Sequence, residues 1–295
     1  MPERRSPNLA RRRRLAAELR RLREREGITG EQATELLGWP HSSKLNRIEL
    51  AKTGLKPADL LSLLDLYHVK SARRAELTAL AEESRRSGAI QAPGMRIPGE
   101  QVAFLEAEAD AESIAIWEPV VVPGLFQTEK YSRALLQAWV IRFALPAGEV
   151  DRRVAARRLR QEILTRDPPP QVSAVIDESV LRRRIGEPPV MREQLGHLVA
   201  ISELSNVDLR ILPLDGEHMV ATGPFNYLKF RQLHEVPLGD IVMYENLTRM
   251  DDIEEEDDVH QYKVAFESLT SGALGPEQSR ALITTVADQI WHNPA

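Results

Sequence analysis

Between Thr29 and Glu49 the chain reads TGEQATELLGWPHSSKLNRIE, and few backbone paths satisfy that string. Thr29 with Gln32 three residues later makes a capping box, so a helix begins there. Ala33 and Leu37 fall on one side of it, and Gly38 ends it. Pro40-His41 makes the turn, and Ser42 N-caps a second, shorter helix that runs through Leu50. On that helix Leu45 and Ile48 lie three residues apart and share an inward face. Ser43, Asn46 and Arg47 take the opposite face, with Lys44 flanking. The string therefore specifies two short helices at a corner, one apolar face turned in and one polar face turned out.

The flanking sequence builds a domain around that corner. Asn8–Glu26 carries Leu15, Leu19 and Leu22, a helical stripe that stops at Gly27. Pro57 suits the first turn of a Leu-rich helix, Ala58–Tyr67, and a fifth helix spans Ser71–Ser87. Residues 1–87 thus read as an all-α, five-helix domain, with Met1–Pro7 as a loose basic arm. Residues 88–99, GAIQAPGMRIPG, mark a linker. From 100 to 295 the pattern turns to α+β. Helices are expected at Glu100–Glu112, Thr128–Leu145, Ala147–Arg166, Val190–Leu204 and Pro276–Trp291. Strands are expected at Ser113–Val121, Val172–Asp177, Val207–Leu212, Phe225–Phe230 and Asp240–Tyr244.

Charge separates the two parts. Residues 1–90 hold 19 Lys and Arg against 12 Asp and Glu, a net of +7, whereas the whole chain has a net of −5. The remainder is therefore at −12. A basic module joined to an acidic one suits a polyanion binder fused to something that must not bind polyanions. Cysteine is absent, which excludes disulfides, thiolate metal sites and Cys nucleophiles. No apolar run is long enough to span a bilayer, so a cytoplasmic protein without membrane contact is expected.

The outward face of the second corner helix carries the chemistry of major-groove reading. Arg and Lys donate to guanine acceptors, and Asn pairs bidentately with adenine. Lys44, Asn46 and Arg47 are the candidates for base or groove contacts. Thr29, Ser43 and Lys52 suit phosphate oxygens, and Ser42 lies beside them at the helix start. Arg4, Arg5 and Arg11–Arg14 would add attraction independent of sequence. An ordinary helical hairpin with a solvated basic face is the bland alternative. Helix, glycine turn and short helix together, inside a basic segment, favour double-stranded DNA as partner.

Residues 19–52, LRRLREREGITGEQATELLGWPHSSKLNRIELAK, resemble the Xre/Cro-repressor helix-turn-helix pattern LRxLRExxGxTxEExAxxLGxxxSxIxRIExG. Two departures stand out. Thr34 occupies the usual small Ala position, and Leu45/Ile48 lie one residue further from Gly38, an insertion that Pro40-His41 would absorb. The resemblance implies that Glu49 pairs with Arg23 as a structural ion pair rather than touching DNA. The second part shows PGLFQTEKY, RRLRQEIL, DESVLRRRIG, MREQLGHL and GPFNYLKF. These are similar to PGLLQT-x-x-Y, R-x-x-RQ-x-x-L, DE-x-x-LRR, M-x-x-QL-x-x-L and GPF of an actinobacterial WhiJ-like (antitoxin-like) regulator family. That resemblance implies a transcriptional regulator, often acting with a small partner protein encoded nearby; a homodimer is expected besides. An adaptor that chiefly holds such a partner is the alternative.

No catalytic or cofactor pattern competes with this. Asp177-Glu178 at a strand end reads as a turn or helix-start charge before an acid/base pair. DDIEEEDD at Asp251–Asp258 lacks the glycine and ligand spacing of a calcium loop and reads as a solvated acidic loop or helix start. The histidines show no metal-ligand spacing, and there is no P-loop or GxSxG. A non-enzymatic protein without cofactor or metal is expected.

Overall fold

The computed structural model describes residues 9–49, 51, 55–84, 99–143, 148–216, 222–230, 239–245 and 250–292. The expected arm Met1–Pro7, Lys52 and nearly all of the linker lie outside them. The described residues divide into two compact units, up to Asp110 and from Ala111 onward.

The first unit opens with α1 (Leu9–Arg25), α2 (Gly30–Leu36), α3 (Ser42–Glu49), α4 (Pro57–Leu66) and α5 (Ser71–Glu83). These are the five expected helices. A sixth, α6 (Gly99–Asp110), packs on α1 within this unit. The compact units therefore part at Asp110/Ala111, beyond the 88–99 linker expected from composition. Leu15, Leu19 and Leu22 of α1 meet Ala33, Leu45, Ile48, Leu60, Leu63, Leu64 and Tyr67 in one buried cluster. Across its edge Glu18, only 1% exposed, bonds Arg73 of α5 at 2.8 Å and Arg21 at 3.1 Å. Burial alone would raise the Glu18 carboxyl, but these two guanidinium bonds hold it below the ordinary value.

Three helices here end the same way. Gly27, Gly38 and His68 follow α1, α2 and α4 with φ of 69°, 65° and 48°. In each case the next residue's N–H reaches back: Ile28 to Arg23 O, Trp39 to Thr34 O and Val69 to Leu64 O. That is the Schellman closure, which needs a left-handed residue at its hinge.

The second unit is α+β. Its sheet comprises β1 (Ala111–Glu118), β2 (Gln171–Asp177), β3 (Val207–Leu212), β4 (Phe225–Phe230), β5 (Ile241–Glu245) and β6 (Met250–Ile253). The order is β3-β2-β1-β4-β5-β6. β1, β2 and β3 are mutually parallel, while β4, β5 and β6 join antiparallel. The helices are α7 (Glu129–Phe143), α8 (Glu149–Gln161), α9 (Glu178–Arg182), α10 (Pro188–Ile201), α11 (Glu256–Gly272) and α12 (Pro276–Ile290). Trp117, Val175, Leu212, Phe225 and Val242 bury one sheet face against Val259, Phe266 and Leu269 of α11. Residues of opposite parity, including Ile114, Ile116, Ala174, Ile176 and Ile211, are buried on the other face.

The acidic run divides between two elements. Asp251–Ile253 lies in β6, and Glu256, Asp257 and Asp258 form the first turn of α11, where the helix dipole favours them. The helix-start expectation therefore holds for its second half, and the strand was not foreseen. Asp177 and Glu178 are structural: Asp177 Oδ1 accepts from Ser179 N–H at 2.8 Å as the cap of α9, and Glu178 takes Arg182 and Leu214 N–H.

PGLFQTEKY, RRLRQEIL and MREQLGHL, three of the five motifs that suggested a family in this half, form a hydrogen-bonded frame around the short 3-10 turn Gly124–Phe126. Gln194 accepts from Thr128 N–H and donates to Phe126 O, both at 2.7 Å. Gln161 donates to Gly124 O and Gln127 O, and Gln127 donates to Val122 O. Three glutamines thus satisfy backbone groups that this single short turn leaves unpaired.

Candidate nucleic-acid interface

The corner formed by α2 and α3 is fixed residue by residue. Thr29 Oγ1 accepts from Gln32 N–H at 3.2 Å, and Gln32 Oε1 accepts from Thr29 N–H at 2.8 Å. The capping box is complete and holds the start of α2. Thr34, at the position where the pattern has Ala, is buried. Its hydroxyl donates back to Gly30 O and Glu31 O of its own helix, leaving the methyl group to pack. This is how a polar residue fits where a small apolar one is usual.

The connection from α2 to α3 runs over Leu37–His41. The helix starts at Ser42, one residue before the expected cap would allow, and His41 O accepts from Lys44 N–H. The wheel of α3 is as expected. Leu45 is 0% and Ile48 4% exposed. Ser42, Ser43 and Asn46 are exposed, and Arg47 is half-buried on the same helix.

Glu49 closes α3 against α1. Arg23 donates Nε to Glu49 Oε1 at 2.8 Å and Nη2 to Oε2 at 2.9 Å, with a third bond from Nη1 to Ile28 O. The Glu49 bonds raise the Arg23 guanidinium against the opposing effect of burial. The resemblance placed this pair correctly: it is a two-bond clamp between helices.

Lys44 is engaged as well. Its Nζ lies 2.7 Å from Asp59 Oδ1 of α4 and 3.8 Å from the centroid of the Trp39 ring. Sequence reasoning took Lys44 as a groove contact and missed both partners. The signal was weak: an aromatic residue before the turn and an acid in the first turn of α4. Of the Arg11–Arg14 run, Arg12 and Arg14 are buried rather than on a solvated face. The Arg14 guanidinium is lowered, first by burial and then by nearby Arg73.

The exposed residues of α3 are thus Ser42, Ser43 and Asn46, with Arg47 half-buried on the same helix, Thr29 exposed at the start of α2 and Lys44 at the rim. Hydroxyl, amide and guanidinium groups on one rigid short helix can hydrogen-bond phosphates and base edges together.

Residues 14–77 match the family model described as a helix-turn-helix domain. Residues 101–285 match the one described as Domain of unknown function (DUF5753). No curated protein and no solved structure matches the chain. Among the described residues no helix is long and apolar enough to cross a membrane.

Proposed function

This chain belongs to the DUF5753 domain family, and from that premise and its helix-turn-helix domain we propose that it is a sequence-specific DNA-binding transcriptional regulator of the Xre type. In this reading α3 lies in the major groove. Asn46 and Arg47 read base edges. Thr29, Ser42, Ser43 and Lys52 hold phosphates, and Lys44 joins when it exchanges Asp59 for the nucleic acid. The observation that carries the reading is the sorting of α3: its apolar pair is fully inward, its clamp residue Glu49 is spent on Arg23, and its polar face stays outward.

The second unit serves as the regulatory half. We assign it dimerisation together with binding of an effector or a partner protein, and no catalytic role. Its acidic balance supports this, since a net-negative unit disfavours DNA and leaves that task to the first. A homodimer would set two recognition helices roughly 34 Å apart, one turn of DNA. Selection of duplexes from a random pool by the full-length protein tests the reading. A recovered motif with two half-sites about one turn apart supports it. A pool without sequence enrichment contradicts it.

A further inference from the structure

Lys44 sits where three elements meet. Trp39 lies in the connection that follows α2, Lys44 is the third residue of α3, and Asp59 is in the first turn of α4. The Lys44 ammonium is 2.7 Å from Asp59 Oδ1 and 3.8 Å from the centroid of the Trp39 ring. Asp59 takes one of its three N–H donors. The Lys44 side chain stays 39% exposed, so the cation is held without being covered. Stability does not account for the arrangement, because an ion pair this exposed adds little to it.

The ring is a fixed platform. Trp39 N–H bonds Thr34 O at 2.9 Å, which closes α2, and the indole packs against the core cluster of this unit. Its face carries the negative part of the ring quadrupole and attracts a cation at this distance, indole more strongly than a Phe or Tyr ring. A free lysine side chain loses much rotamer freedom when it holds one geometry. Here the ring orders it before any nucleic acid arrives, which lowers the cost of using it in a contact. Lys44 also stands in the right place for a backbone phosphate. At about 3.6 residues per turn it lies about 60° round α3 from Arg47, on the flank of the outward face. A helix about 10–12 Å across fills a major groove about 12 Å wide, so its flanks meet the phosphate walls rather than the base edges.

We infer that Trp39 is a positioning residue for DNA contact: its indole face holds the Lys44 ammonium in place for a phosphate, which replaces Asp59 as the bonded anion. This role rests on the reading of α3 as the groove helix. It gives Lys44 a phosphate rather than a base, and it gives the turn between the two corner helices a part in binding. Trp39 touches no DNA itself and acts only through the cation it carries.

The test is the salt dependence of binding to random-sequence duplex DNA by the full-length protein. Wild type is compared with Trp39→Leu, Trp39→Phe, Lys44→Met and the double variant Trp39→Leu/Lys44→Met. Losing one phosphate contact lowers the slope of log affinity against log salt by about 0.9, roughly fivefold in affinity at about 0.15 M salt. That loss is expected for Lys44→Met. Trp39→Leu should lose part or all of the same increment, and Trp39→Phe, which keeps a ring face, should recover most of it. The double variant should lose no more than Lys44→Met alone. A merely structural tryptophan would lower the melting temperature and leave the slope unchanged. A second measurement needs no change at Trp39: the Lys44 ε-methylene protons, identified by their absence in Lys44→Arg, should resonate upfield under the ring and stay there in the DNA complex. Wild-type slope and affinity in Trp39→Leu, additive losses in the double variant, or loss of the upfield shift on DNA each overturns the role of Trp39 alone. Failure of the DNA-reading proposal is a different result, a random pool without sequence enrichment, because binding through phosphates does not depend on sequence. Wild type that binds no duplex at all overturns both.

Discussion

At the scale of single residues, the interface is governed by which charges are already spent. Arg23 and Glu49 are 13% and 8% exposed, so removing one leaves the other desolvated and unpaired. Glu49→Ala should cost about 3 kcal/mol of stability, read as a lowered melting temperature; an unchanged one would show that the clamp contributes nothing. Lys44 is held by Asp59, and Asp59→Asn should release it toward the groove. Tighter DNA binding with little change in stability is the expected result, and weaker binding would place Lys44 outside the contact. Glu118 gives the clearest pH signature. Its folded-state carboxyl is raised to about 7, so between its ordinary range and that value the folded form keeps a proton that the unfolded chain has lost. Stability therefore falls as pH rises through this window, by at most about 3 kcal/mol. Urea unfolding of Glu118→Gln against wild type across that window should show this part of the slope removed.

At the scale of elements, the three helix ends with left-handed hinges make a matched pair of predictions. A Cβ added at Gly38 would meet nothing within 4 Å, so Gly38→Ala is penalised by backbone conformation alone, about 1 kcal/mol. His68 is exposed and already sits in that conformation. His68→Gly should therefore stabilise by roughly 0.5–1 kcal/mol, and chemical denaturation of the two variants should give opposite signs. The same elements explain what was legible. Capping boxes, glycine stops and the Leu15/Leu19/Leu22 stripe are local, so α1 to α5 could be read directly. The strands Val207–Leu212 and Phe225–Phe230 were equally plain, because alternation is local too. The helix α11 was not read, although Val259, Tyr262, Phe266 and Leu269 recur at helical spacing, because its acidic start drew attention to a loop. Sheet order, the partners of Lys44 and the burial of Glu118 depend on residues distant in sequence, and no local pattern reports them.

At the scale of the whole molecule, the charge split and the fold describe one division of labour. A basic helical unit carries a helix-turn-helix whose polar face is supported from behind by the cluster around Leu45 and Ile48. An acidic α+β unit of the DUF5753 family supplies, on our reading, dimer contacts and the binding of an effector or a partner protein. The central claim is that α3 reads bases. Its most direct test is the affinity of wild type, Asn46→Ala and Arg47→Ala for a selected duplex, with salt held fixed and random-sequence DNA in parallel. The account predicts that each substitution costs on the order of 1–3 kcal/mol, roughly 5- to 150-fold, on the selected duplex, with little change on random DNA. Wild-type affinity in both variants would contradict it.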